Sequence, residues 1–426
     1  MILDRTKKPA PNGKIVFNIP NIKNYTLENG LNVFFVQKNT LPIVQINLIV
    51  HSGSRFDIKD RSGSSKLTSM LIDEGAGSLS GLEIDNEIES LGSILSTDSS
   101  IENSSISLIT LKENLKRSLE LFSLVLKEPS FNDEDFQREK EKLETTILQL
   151  NDDASYLAST KFRNVIFSSS PYQFPSSGLK NTTSLISNND VENCYENNFS
   201  PSNSSLIIVG DLTEKEFHNL TSTYFADWKA SAKPKQLNIK FNNTKKQIII
   251  IDKPQAPQSE IRVGHISKTR KAKDYFATNI MNSILGGQFS SRINLNLRED
   301  KGYTYGAHSN FNYNSFGGSF SVSTSVKAEN TGDALKEILF ELKNIKTSIS
   351  QTELDFSKSY LTRRYPSMFE TYSQLASNAS LIPIYGLELD YFQKYVANIS
   401  KCSLEDVLKS ANDNIYLDQL VVVLVG

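Results

Sequence analysis

The chain repeats itself, and a repeat of this kind restricts the fold to two copies of one unit set together. Leu31 to Asp57 reads LNVFFVQKNTLPIVQINLIVHSGSRFD, and Lys246 to Ile266 reads KQIIIIDKPQAPQSEIRVGHI. Each is a β-rich run, a polar turn carrying proline (Pro42; Pro254 and Pro257) and a second β-rich run, which predicts a hairpin. An amphipathic helix follows each. Leu67, Met70 and Leu71 share one face of the first, and Phe276, Ile280, Ile284 and Leu285 one face of the second. Both halves also end alike, with SSLIIVG at Ser204–Gly210 and QLVVVLVG at Gln419–Gly426. These read as buried strands, with long helical segments upstream at Glu134–Leu150 and Glu353–Tyr365.

At 426 residues the chain is long enough for about two cores. The expected division is an N-terminal extension over 1–21, a first domain over 22–228, a polar, basic linker over 229–245 and a second domain over 246–426. The fold class is α+β: two homologous α/β-sandwich domains, each a mostly antiparallel sheet with helices packed on one face. Hydrophobic content of 38% with 22% charged residues is that of a globular chain. Its formal charge, 46 basic minus 48 acidic residues or −2, offers no general attraction to nucleic acid or anionic lipid. No run approaches the ~18 apolar residues of a membrane helix, and Met1–Lys14 has no apolar core of a signal peptide. Cytoplasm is the default expectation, with periplasm or secretion the alternative if a leader has been removed. Cys194 and Cys402 lie far apart and form no CxxC or disulfide framework, so two buried thiols are expected.

Asp57 to Gly77 reads DIKDRSGSSKLTSMLIDEGAG. Placed after a strand and opening a helix, it resembles the segment where M16 peptidases (pitrilysin/insulinase-like, mitochondrial-processing-peptidase-like) carry an inverted zinc motif, H-x-x-E-H. Aligned on Gly63, Leu67 and Leu71, the motif positions fall on Lys66, Ser69 and Met70. The family's further zinc-binding glutamate falls on Thr146, in the helix FQREKEKLETTILQL. Catalytic zinc takes three protein ligands, usually imidazole and carboxylate, and leaves a place for water. Lysine, serine, methionine and threonine cannot build that shell, and the lysine ammonium would repel the cation. His51, His218, His265 and His308 include no pair at i, i+4. The chain is therefore expected to bind no metal or other cofactor.

The second half retains what the first lacks. Leu285 to Asn310 reads LGGQFSSRINLNLREDKGYTYGAHSN, similar to the M16 C-terminal-domain signature LGG-x-x-S-S-R…RE-x-x-G-x-x-Y. The resemblance places the family's substrate- and transition-state-binding pair on Arg298 and Tyr305. Guanidinium and phenol are suited to that role, as fixed donors for a carbonyl or oxyanion. The alternative is structural: Arg298 at a helix C-terminus with Gly302 just beyond it, and Tyr305 packed at the start of a strand. The glycines of DEGAG and LGG are turn or cap residues, since no Lys-Ser/Thr follows to make a phosphate loop. Asp133, Glu134 and Asp135 complement a helix dipole. The resemblance, over about Ile22–Gly426, implies the zinc-motif-lacking subunit of a bacterial two-subunit M16 enzyme. It would be inactive alone, bind peptides and pair with an H-x-x-E-H-bearing subunit that holds the zinc; whether it forms a homodimer when alone is left open by the sequence. The rival is a structural or peptide-binding pseudo-peptidase. A self-sufficient peptidase with unrecognised metal ligands is third.

Overall fold

The computed structural model describes residue 6 and residues 17–229, 237–242 and 244–426. Residues 1–5 and 7–16 of the expected extension, and 230–236 and 243 of the expected linker, lie outside the described residues. The first half contributes β1 (Lys23–Thr26), β2 (Asn32–Gln37), β3 (Ile43–Val50), a two-residue hairpin of β4 (Gly75–Ala76) and β5 (Leu79–Ser80), β6 (Ile94–Ser99), β7 (Ser104–Leu111) and β8 (Ser204–Gly210). The second contributes β9 (Gln247–Ile251), β10 (Gln258–Ser267), β11 (Ala307–Asn312), β12 (Gly318–Lys327) and β13 (Val421–Val425).

Two large mixed sheets result, in the orders β1-β2-β8-β3-β7-β6 and β11-β12-β10-β13-β9. They correspond strand for strand apart from β1. Each is antiparallel except for one parallel pair, β2 with β8 and β13 with β9. The hairpins expected from the two β–proline–β runs do not form. In each half the last strand inserts between the two, so β2 and β3 are separated by β8, and β9 and β10 by β13. A proline-bearing turn shows that the chain reverses; it does not say which strand fills the gap. The inserted strands, IIV-rich and VVVLV, are apolar on both sides, as a strand covered on both faces must be.

Helices of each half cover one face of their own sheet. In the first, Phe35, Ile46 and Leu108 meet Leu119 and Phe122 of helix Leu115–Lys127 and Phe217 of helix Glu214–Phe225. In the second, Val263, Phe320 and Val322 meet Ile280 and Met281 of helix Tyr275–Leu285 and Ile338 of helix Thr331–Asn344. The opposite face of each sheet is closed by a helix from the other half. Helix Tyr372–Tyr385 lays Tyr372, Leu375 and Ala379 on Phe34, Val36 and Ile207 of the first sheet. Helix Ala154–Ile166 lays Ala158, Phe162 and Ile166 on Val421, Val423 and Val425 of the second.

Polar contacts fix this exchange. The Tyr372 hydroxyl donates to Leu41 O at 2.9 Å, and Arg262 of β10 donates to the Ser155 and Ser159 hydroxyls at 2.6 and 3.1 Å. A buried cluster locks the junction: Glu102 accepts from Arg55, Tyr172 and the hydroxyl of Ser315, which comes from the second half. Cys194 and Cys402 are free; burial pushes both thiols up, that of Cys194 to about 11, while the Cys402 residue is only partly buried. No helix among the described residues is long and apolar enough to cross a membrane.

His265, buried in β10, is held neutral. Its Nε2 accepts from the Tyr416 N–H at 3.1 Å, which leaves the proton on Nδ1, 2.8 Å from Ile266 O. Burial pushes the imidazole down to about 4, from an ordinary 6.5. Below pH 6.5 the unfolded chain takes up a proton that the folded chain refuses, so stability falls with pH down to about 4. Urea unfolding at pH 7 and pH 4.5 should show a loss about 2 kcal/mol smaller in His265→Gln than in wild type.

Candidate functional site

The helix matching the zinc-motif segment is Ser64–Leu71. Its N-terminus is organised by Asp57, which accepts from the Gly63 and Ser65 N–H groups at 2.8 and 3.1 Å and from the Ser65 hydroxyl at 2.5 Å. Burial pushes this carboxyl up to about 7, against those bonds from Ser65 and Gly63. Gly63 enters the helix at φ 110°, a left-handed conformation that suits glycine.

This helix packs against helix Asp133–Asn151, Leu67 and Leu71 meeting Leu143 and Ile147. Lys66 reaches edge strand β6 and pairs with Asp98 at 2.7 Å. Ser69 is buried, and Met70 packs on the cluster containing Leu67, Leu71, Leu143 and Ile147. Thr146 is exposed, and its hydroxyl turns back to donate to Lys142 O at 2.8 Å. A cation, a thioether and two hydroxyls do not fit zinc. Among the described residues no group of three or more His, Cys, Asp or Glu could hold a metal ion.

The second half builds a different site from the LGG-to-GYTY stretch. Gly286 lies so close to β11 that an added Cβ would meet Ser309 N at 2.6 Å. Asn294, buried, donates to Phe289 O at 2.7 Å and accepts from Ala307 N at 3.0 Å, tying the start of the loop to the strand that follows it. Arg292 makes a two-pronged pair with Glu353, at 2.6 and 2.9 Å, which anchors the turn to helix Gln351–Arg364. The signature's first arginine is thus occupied structurally.

On this frame the next segment is a π-helical turn, Leu295–Asp300, ended by Gly302 at φ 66°. Arg298 sits in that turn with its guanidinium 4.5 Å over the Phe289 ring and 3.3 Å from Glu299. Tyr305 does not pack at the start of β11: it is 90% exposed. Arg298 and Tyr305 line one cavity of about 1300 Å³, together with Phe289, His308 and Asn310 from the second half. The first half supplies Glu102 and, from the exchanged helix, Phe162 and Arg163. The cavity wall thus brings Arg298 and Tyr305 together; Lys66, Ser69, Met70 and Thr146 are not part of it. Reading the sequence missed Arg163 and Phe289. The apolar spacing of Ala158, Phe162 and Ile166 marks a buried helix face, but nothing local shows that this face lies on the other half's sheet.

Residues 32–171 match the family model described as Insulinase (Peptidase family M16), and residues 186–361 match that of the Peptidase M16 inactive domain. The chain belongs to peptidase family M16. It is 25% identical over 383 residues to the non-peptidase homolog YmxG of Helicobacter pylori, covering 88% of this chain and 87% of that protein. It is 23% identical over 372 residues to the zinc protease PqqE of the same organism, covering 84% and 82%. The crystal structure of a peptidase M16 inactive domain from Pseudomonas fluorescens superposes with a TM-score of 0.90, covering 95% of this chain and 98% of that one at 22% identity. At that identity the superposition speaks for the fold alone. Arg298 and Tyr305 both lie within the stretch that matches the inactive-domain model, and Lys66, Ser69, Met70 and Thr146 within the stretch that matches the insulinase model.

Burial alone would raise Glu353, but bonds from Arg292 and Ser350 and the Arg292 charge hold its carboxyl down at about 2, from an ordinary 4.5. The stability it contributes is therefore fully present above pH 4.5 and lost as pH falls towards 2. Glu353→Gln should cost about 2 kcal/mol in chemical unfolding at pH 7, with the difference from wild type shrinking as pH is lowered from 4.5.

Proposed function

We propose that this chain is the non-catalytic, substrate-binding subunit of a heterodimeric M16 zinc endopeptidase that degrades peptides in an enclosed chamber. The observation that carries this reading is the state of Tyr305 and Arg298. The phenol stands out from the wall of a large cavity, nine-tenths exposed, and the guanidinium is steadied only by an aromatic face and one neighbouring carboxylate. Neither is used to hold this chain together. Both are donors of the kind that binds a peptide carbonyl or the oxyanion formed from it. The metal would come from a partner M16 subunit with an intact H-x-x-E-H motif, since Lys66, Ser69, Met70 and Thr146 cannot hold one. Arg298 and Tyr305 would reach across the interface to position the scissile carbonyl, and a peptide could lie along a sheet edge by strand addition.

The second reading is a structural or peptide-binding pseudo-peptidase with no part in hydrolysis, favoured by the similarity to a non-peptidase homologue. One experiment separates the two. The purified chain is mixed with M16 subunits bearing H-x-x-E-H, and cleavage of unstructured peptides is followed with and without chelator. The heterodimer reading predicts chelator-sensitive activity that neither subunit shows alone. Arg298→Ala and Tyr305→Phe should then lower kcat about 10- to 1000-fold while the complex still forms. Full activity in both variants would remove the assigned roles; complex formation with no hydrolysis would favour the second reading.

A further inference from the structure

The charges of the cavity wall do not balance. Its charged side chains are Glu102, Arg163, Arg262 and Arg298. Glu102 is neutralised by Arg55 and hydrogen-bonded by Tyr172 and Ser315. Arg262 is paired with Glu260 at 2.8 Å, and Arg298 with Glu299 at 3.3 Å. Arg163 has neither a carboxylate within ion-pair distance nor a side-chain hydrogen bond among the described residues. It is also partly buried, and that burial lowers its guanidinium from the ordinary value, opposed only by Tyr156.

An unpaired, partly desolvated arginine is unfavourable unless something else holds it in place. Here the exchanged helix does. Phe162, the residue before Arg163, is pinned on the second sheet, and Ile166 anchors the following turn. The guanidinium is therefore presented to the cavity by a rigid element, without an acceptor of its own. Tyr156, two turns earlier on the same helix face, has a buried hydroxyl that also lacks a partner, as does Tyr313 of the cavity wall. Arg163 is thus the one charged side chain of this wall without a counter-ion among the described residues. The ligand that completes it is an anion with two adjacent oxygens, matched to the arginine fork.

We infer that Arg163 is a carboxylate-recognising subsite of the cavity, taking either the C-terminal carboxylate or an acidic side chain of a bound peptide. The inference rests on the peptide-binding reading above and adds a selectivity to it. It assigns that selectivity to the first half's helix, away from the Arg298 and Tyr305 loop.

The test uses the full chain and three fluorescent ten-residue peptides of alanine, serine and asparagine. One has a free C-terminus, one is amidated, and one is amidated but carries a single internal glutamate. Affinities are measured by anisotropy for wild type, Arg163→Met and Arg163→Lys. Wild type should bind at least one carboxylate-bearing peptide about tenfold more tightly than the uncharged amide. Arg163→Met should abolish that preference, and Arg163→Lys should keep part of it. Preference for the free C-terminus or for the internal glutamate identifies the source of the carboxylate. Arg163→Met should also melt no lower than wild type, because it removes an unpaired, partly buried charge. An undiminished preference in Arg163→Met, or equal binding of all three peptides by wild type, overturns the inference and leaves peptide binding standing. If wild type binds none of the peptides, the peptide-binding reading falls with it.

Discussion

The structure depends on the exchange of one helix between its halves. The inserted strand of each sheet and its neighbours are apolar on both faces, and the helices of their own half cover only one. Without helix Tyr372–Tyr385, Phe34, Val36, Ile49, Ile207 and Val209 of the first sheet would face water. Without helix Ala154–Ile166, Val421, Val423 and Val425 of the second would do so. Each such side chain, fully buried, is worth about 1.5–3 kcal/mol, so the exchange exceeds what surface polar contacts could supply. The halves are therefore joined as one folding unit. The Arg55–Glu102–Ser315 cluster adds specificity at the seam, where one removed partner would leave a buried charge unpaired.

The same exchange builds the candidate site. A helix laid across the foreign sheet becomes a wall of the cavity between the halves, which brings Phe162 and Arg163 to face residues of the second half's signature loop. That loop is rigid for local reasons: the close approach of Gly286 to β11, the Asn294 clamp and the Arg292–Glu353 pair. Its two conspicuous donors are left outside this framework. In the first half the reverse holds. The helix pair that would carry zinc is intact as packing, but Met70 and Ser69 have joined the interior and Lys66 has found Asp98. Among the described residues the first half offers no group of three or more His, Cys, Asp or Glu that could hold a metal, while the second keeps Arg298 and Tyr305 on a cavity wall.

Much of this was legible from local pattern. The internal repeat and the buried terminal strands of each half follow from residue types at fixed spacing. Arg298 and Tyr305 stood out because the surrounding LGG…SSR…LRE…GYTY string is contiguous. What depends on distant segments was not legible. The β–proline–β runs read as hairpins because their partner strands arrive more than 150 residues later. Arg163 carried no signal, because its importance comes from the sheet its helix crosses and from the absence of a counter-ion, neither of which sequence spacing records. Tyr305 could be placed in the loop ahead of β11 but its 90% exposure could not, since that depends on the surrounding tertiary structure.

On the proposed function, Tyr305 and Arg298 meet substrate at the scissile bond held by a partner subunit. The most direct measurement replaces Tyr305 with a photoreactive phenylalanine analogue in the reconstituted pair and irradiates it with a slowly cleaved peptide. A cross-link to the peptide within about two or three residues of the cleavage point is expected, lost when excess unlabelled peptide is present. Cross-linking only to the partner protein, or to peptide at positions unrelated to cleavage, would contradict it.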